Sequence, residues 1–210
     1  NSVTHSERDP SLSPITTKQN RLKTMRHAIS TLLLIAISLH AYTQEFNWAW
    51  HWEGNTIVTE VPQRPNGQQH ALQLTAPKMD TVRVAFVGLG MRGPDAVWRF
   101  TQIPGTKIVA LCDYEQERAE RCQHYLTNAH RPLADIYSGE EGYKALCQRS
   151  DIDLVYIATD WPPHFLVAQE AMTHGKHVAI EVPSAMTLAE CWALIDLSER
   201  YRLHCMILEN

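Results

Sequence analysis

From Thr81 onward, short apolar runs alternate with longer segments of mixed polarity. The runs lie at 82–87, 107–112, 153–158, 177–181 and 204–208, and a short extended piece at Ile136-Tyr137 supplies a further strand in third place. Runs such as Leu154-Val155-Tyr156-Ile157-Ala158 are almost unbroken in hydrophobicity, which suits a strand covered on both faces in a parallel sheet. The intervening segments predict helices near 94–101, 115–127, 140–149, 163–174 and 187–201. Strand and helix in regular alternation predict an α/β fold over residues 81–210: a doubly wound (Rossmann) parallel sheet of six strands. In such a sheet the ligand lies beyond the carboxyl ends of the strands.

The chain upstream follows a different pattern. Residues 1–24 are polar and aperiodic, and read as disordered or as sequence upstream of the true start. Met25-Arg26-His27 then precedes an apolar run, Ala28 to Leu39, interrupted only by Ser30, Thr31 and Ser38 and followed by small residues at Ala41 and Thr43. That layout predicts a signal peptide over 25–43, cleaved after Thr43, and an exported, periplasmic protein; a buried helix is the competing reading. The run is too short to span a bilayer, so no stable membrane anchor is expected. No twin arginine and no Cys after the cleavage point support a twin-arginine route or a lipoprotein. Residues 44–80 form an aromatic-rich extension in which Phe46, Trp48, Trp50 and Trp52 alternate with other residues before Pro62, Pro65, Gly67 and Pro77. It reads either as a strand or extended arm packed on the domain or as an exposed strip for stacking on sugars.

Composition narrows the function classes. A net charge of −4 and the lack of a basic stripe argue against nucleic acid. The five cysteines, Cys112, Cys122, Cys147, Cys191 and Cys205, form no CxxC and match no zinc spacing; Cys112 and Cys205 sit in strand-like apolar runs as small hydrophobes, and a disulfide framework is the less favoured alternative. The composition leaves a homo-oligomer open.

The candidate chemistry sits at the strand ends. Val82–Val87 runs straight into Gly88-Leu89-Gly90-Met91-Arg92-Gly93, a GxGxxG loop that opens a helix. In dinucleotide binding the first glycine makes the tight turn, the second lets the backbone approach the pyrophosphate, and the third lets helix and strand pack closely. The helix N-terminus offers unpaired N–H groups and a positive dipole end to the phosphates. Asp113 ends the next strand, 20 residues beyond Gly93, where a carboxylate can accept a ribose 2′-hydroxyl and repel a 2′-phosphate; NAD is therefore favoured over NADP. After the fourth strand come Thr159-Asp160-Trp161-Pro162-Pro163-His164. Thr159 or Asp160 can cap the next helix, the prolines suit its first turn, and Trp161 and His164 are open to either cofactor contact or packing. The fifth strand ends in Glu181-Val182-Pro183, and a carboxylate there is costly unless paired, solvated or functional. Glu209-Asn210 follow the sixth, with an amide able to hydrogen-bond a nicotinamide or ribose. Arg92 either lies along the pyrophosphate or is a solvated loop residue.

At these residues the chain resembles the Gfo/Idh/MocA group of NAD(P)-dependent sugar enzymes, which join an N-terminal Rossmann domain to a C-terminal α/β substrate domain. Ordinary members carry Glu-Lys-Pro after the fifth strand, where the lysine helps proton transfer. Here the triplet is Glu181-Val182-Pro183, and valine transfers no proton. The Gly-Met-Arg-Gly loop, the Trp-x-x-His stretch, Glu-Val after the fifth strand, the Glu190-Cys191-Trp192 segment and Leu-Glu-Asn after the sixth together resemble glycoside hydrolase family 109. That resemblance implies an α-N-acetylgalactosaminidase holding NAD tightly, acting on small molecules or glycans ending in N-acetylgalactosamine. It implies NAD contacts at Met91, Arg92, Asp113, Trp161, Pro162, Pro163, His164, Glu181, Val182 and Asn210, alongside the loop glycines Gly88, Gly90 and Gly93. Pro162 and Pro163 depart from family members with donor side chains there, leaving only van der Waals or carbonyl contacts. The substrate domain and the family's catalytic tyrosine and histidine are expected beyond Asn210. The implied chemistry is redox-neutral: oxidation at sugar carbon 3, elimination of the aglycone from carbon 1, addition of water, and reduction back. Such a route needs no carboxylate pair flanking the glycosidic bond. The competing readings are a sugar oxidoreductase with net NADH formation and a dinucleotide-binding module without catalysis.

Overall fold

The computed structural model describes residues 50–59 and 61–209. The expected signal peptide, Phe46, Trp48 and Asn210 lie outside them. The described chain opens with an antiparallel hairpin, β1 (Trp50–Glu53) and β2 (Thr56–Thr59), in which Trp52 faces Ile57. Both side chains are more than half exposed, so this pair of the hairpin faces solvent. Residues 61–81 then run without helix or strand into the main sheet.

That sheet has six parallel strands, β3 (Val82–Val87), β4 (Thr106–Asp113), β5 (Asp135–Ser138), β6 (Leu154–Ile157), β7 (His177–Glu181) and β8 (Cys205–Leu208). Their spatial order is β5-β4-β3-β6-β7-β8. Five helices connect them: α1 (Gly93–Thr101), α2 (Gln116–Asn128), α3 (Gly142–Cys147), α4 (Pro163–Thr173) and α5 (Leu188–Tyr201). This is the predicted doubly wound fold, with the order reversing between β3 and β6. The end residues of the predicted elements shift by only a few positions, the scatter expected where helices fray.

The unbroken hydrophobicity of the central strands follows from burial on both faces. Val84 and Phe86 of β3 enter one core with Ala96 and Val97 of α1 and Ala119, Cys122 and Leu126 of α2. Ala85 and Val87, pointing the other way, enter a second core with Val167, Ala168 and Met172 of α4 and Leu194 of α5. In the first core Phe86 meets the Phe100 ring edge-on at 5.3 Å and stacks on Tyr156 at 5.2 Å. The five cysteines are free.

The segment before β3 is tied to α5 and the residue after it by polar contacts. Arg64 donates two hydrogen bonds to Glu199 of α5, at 2.6 and 3.0 Å. Gln68 Nε2 reaches Glu199 and Asp196, and Arg202 donates to the Gln69 and His70 carbonyls. Glu199 is 3% exposed, and the Arg64 guanidinium holds its carboxyl below the usual carboxylate range. α5 itself starts on a full capping box, in which Thr187 Oγ1 accepts from the Glu190 N–H and Glu190 accepts from the Thr187 N–H.

Candidate dinucleotide site

The carboxyl ends of β3, β4, β6 and β7 surround a cleft of about 1180 Å³ at the point where strand order reverses. The three loop glycines have different jobs there. Gly88 follows β3 with φ of +91°, and a β-carbon on it would overlap the backbone of Ala158 and Thr159 at the end of β6. A β-carbon on Gly93 would overlap the Gly88 carbonyl, so the start of α1 packs directly against the turn. Gly90 is exposed and open: a β-carbon there would meet only Arg118 Nη1, at 3.6 Å. Gly88 and Gly93 thus shape the turn, and Gly90 is the position that leaves room for a ligand.

Met91 and Arg92 follow, both exposed on the cleft wall, with Arg92 at the N-cap of α1 and making no side-chain cap. Asp113, at the end of β4, is 5% exposed and does two things. Its Oδ2 accepts the Leu89 N–H at 2.6 Å and its Oδ1 accepts the Glu115 N–H at 3.0 Å. The carboxylate therefore fixes the glycine loop as well as facing the cleft. A carboxylate offers about four lone-pair positions, so room remains for a ribose hydroxyl.

The loop after β6 departs from expectation. Neither Thr159 nor Asp160 caps α4; the N-cap is Pro162, Pro163 opens the helix, and no side-chain cap bond forms. The Thr159 hydroxyl turns instead to the Asp160 carbonyl at 2.8 Å. A helix that begins on two prolines has fewer N–H groups to satisfy, which removes the need for a cap. Trp161 is 58% exposed at the rim, whereas His164 is almost fully buried in the wall. Its ring nitrogens face the Pro183 carbonyl at 2.7 Å and the Thr159 carbonyl at 3.1 Å, so the imidazole ties the loop after β6 to the loop after β7.

Glu181 resolves the cost of a carboxylate at a strand end by pairing. The Tyr156 hydroxyl of β6 donates to its Oε1 at 2.6 Å, and burial together with that carboxylate pushes the phenol up to about 12. Val182 lines the cleft, 41% exposed, where it offers an apolar surface and no proton-carrying group. Three residues that the sequence reading missed also belong here: Tyr156, visible only as the one polar-tipped residue in an aliphatic strand, Arg118 and Tyr114. The last two follow Asp113 closely enough to have been sought at the mouth of the same strand. Among the described residues no group of His, Cys, Asp or Glu could hold a metal ion.

A buried acid at the end of the second sheet strand, an open glycine at the loop crest and an uncapped helix start match the needs of a dinucleotide pyrophosphate and ribose. The family model described as "Oxidoreductase family, NAD-binding Rossmann fold" (Gfo/Idh/MocA) matches residues 82–208. The chain belongs to this family. Its cofactor is NAD. The chain is 64% identical over 190 residues to glycosyl hydrolase family 109 protein 3 of Phocaeicola vulgatus, covering 90% of this chain and 35% of that protein. It spans about a third of the length of the curated relatives it matches. Among solved structures, the NAD-binding protein from Listeria innocua is 27% identical with a TM-score of 0.51, covering 60% of this chain and 35% of that one. A UDP-N-acetylglucosamine 3-dehydrogenase from Acidithiobacillus ferrooxidans is 26% identical with a TM-score of 0.50, covering 61% and 37%.

Proposed function

We propose that the full-length protein is an NAD-dependent glycosidase that removes terminal α-linked N-acetylgalactosamine without net oxidation. The observation that carries this reading is Val182. It stands beside the paired Glu181 on the cleft wall, where a sugar dehydrogenase of the same family resemblance would carry a lysine. A valine there leaves the cleft able to hold and orient NAD but without the usual group for net sugar oxidation. The high identity to a protein named as a glycosyl hydrolase supports the same choice. The likeness to an N-acetyl sugar 3-dehydrogenase supports oxidation at carbon 3.

When bound, NAD supplies a transient oxidation at carbon 3, which acidifies the proton at carbon 2 and permits loss of the aglycone from carbon 1. The chain's own residues prepare that event. Asp113 would hold the adenosine ribose and the glycine loop the pyrophosphate. His164 joins the two loops that border the other end, and Tyr156 holds Glu181 in one orientation facing the cleft. The side chains that move protons on the substrate are, on this reading, those the family resemblance assigns to the substrate domain. The basic start and apolar run of residues 25–43 support an exported location, where a cofactor regenerated in every turnover is an advantage.

The test follows two signals together, using full-length protein and a nitrophenyl α-N-acetylgalactosaminide. Nitrophenol release with no accumulation of NADH absorbance is expected. NADH accumulating with free sugar would establish a sugar oxidoreductase instead, and silence in both would reduce the role to dinucleotide binding.

A further inference from the structure

At the adenosine end of the cleft, Arg118 of α2 lies among carboxylates. Its Nη2 donates to Glu115 Oε1 at 3.0 Å, and its Nη1 stands 3.6 Å from Asp113 Oδ1. The same Nη1 is the atom that overlooks Gly90, and the Arg118 side chain lines the cleft. A 2′-substituent on a ribose held by Asp113 would therefore approach Arg118.

We propose that the Glu115–Arg118 pair sets how strictly this cleft distinguishes NAD from its 2′-phosphorylated form. Asp113 alone does not complete the discrimination. It is nearly buried, and two of its acceptor positions are spent on the Leu89 and Glu115 N–H groups. A guanidinium is the side chain best suited to a phosphate, since its planar fork donates two parallel hydrogen bonds. Left free, Arg118 would welcome a 2′-phosphate. Glu115 prevents this by occupying one edge of the fork and by adding a charge. Asp113, Glu115 and Arg118 together carry one net negative charge beside the cleft. Without Glu115 the trio is neutral and the fork is open; without Arg118 it carries two negative charges. Glu140 lines the same cleft and stays in every variant, so loss of Glu115 narrows the preference for NAD without inverting it. At partly exposed positions a unit charge beside a phosphate changes affinity by about tenfold, and less at high salt.

The experiment measures Kd for NAD and NADP by titration calorimetry on the full-length protein freed of dinucleotide, at low and at physiological ionic strength. Glu115→Gln is expected to lower the ratio Kd(NADP)/Kd(NAD) about tenfold through tighter NADP binding, and Arg118→Ala to raise it about tenfold through weaker NADP binding. Arg118→Lys, which keeps the charge and loses the fork, should fall between Arg118→Ala and the parent. Both side chains are at least a third exposed, so the variants should fold as the parent does. The proposal is overturned if the ratio stays constant in both variants, or if the two affinities move together, which would make Arg118 a contact of the adenosine common to both. Equal affinity of the parent for the two dinucleotides would overturn it too. None of these outcomes bears on which sugar the protein cleaves.

Discussion

The loop glycines invite a perturbation that separates folding from binding. At Gly88, alanine meets two obstacles. The backbone there has φ of +91°, and forcing an L side chain into a left-handed conformation costs about 1–2 kcal/mol. The added carbon also falls on the Ala158–Thr159 backbone, and overpacking against main chain costs about 1–3 kcal/mol more. Gly88→Ala should thus lose about 2–5 kcal/mol, a large part of the 5–15 kcal/mol that typically holds a domain together. At Gly90 neither obstacle exists, and the stability of the dinucleotide-free protein should stay within about 0.5 kcal/mol. The extra methyl instead stands where the pyrophosphate approaches. Losing one charge-assisted hydrogen bond costs about 1.5–3 kcal/mol, which is roughly a 10- to 150-fold weaker Kd for NAD. Urea unfolding of the dinucleotide-free protein gives the first quantity and calorimetric titration with NAD the second. Equal urea midpoints for Gly88→Ala and the parent would refute the account, as would a Gly90→Ala variant as unstable as Gly88→Ala.

Three further outcomes follow from the packing and charges. Phe86→Ala should cost about 3–5 kcal/mol in urea unfolding, because the ring is fully buried between Phe100 and Tyr156; a loss under about 1 kcal/mol would mean the site collapses around the gap. Thr187→Ala breaks the reciprocal cap of α5 and should cost about 1 kcal/mol, with Thr187→Ser restoring most of it. Arg149 pushes Asp151 down to about 2, and Arg83 and Arg64 depress Asp153 and Glu199. Carboxyls with folded values below their unfolded ones add stability above about pH 4 and lose it as pH falls toward 2, so the thermal midpoint should decline across that window and not between about pH 5 and 7 from these groups.

Much of this arrangement was legible in the chain because it depends on local periodicity. Strands buried on both faces show as unbroken apolar runs, and a GxGxxG loop followed by a spaced acid requires little tertiary information. The errors came where one residue's role is decided by a distant one. Asp160 looked like a helix cap until two prolines displaced the helix start past it. In the sequence Trp52 is open to packing or to an exposed strip, and the hairpin turns it to solvent; the arginine–glutamate pair that ties Arg64 to α5 has no local signature. His164 is likewise open to cofactor contact or packing, because its commitment to the Thr159 and Pro183 carbonyls depends on the neighbouring loop. Arg118 escaped notice because an arginine in a helix is ordinary until its surroundings are known.

The attachment of Arg64 to Glu199 joins positions 135 residues apart. A ribosome adding about 5–20 residues per second needs roughly 7–27 s to cover that distance. For all of that interval the segment before β3 has been synthesised but its anchor has not. The order of synthesis and the order of docking are therefore opposed in this part of the molecule: an early segment waits for α5 before it has a place to rest. A chain released or truncated before Glu199 would keep most of its sheet and still present that segment to any protease within reach.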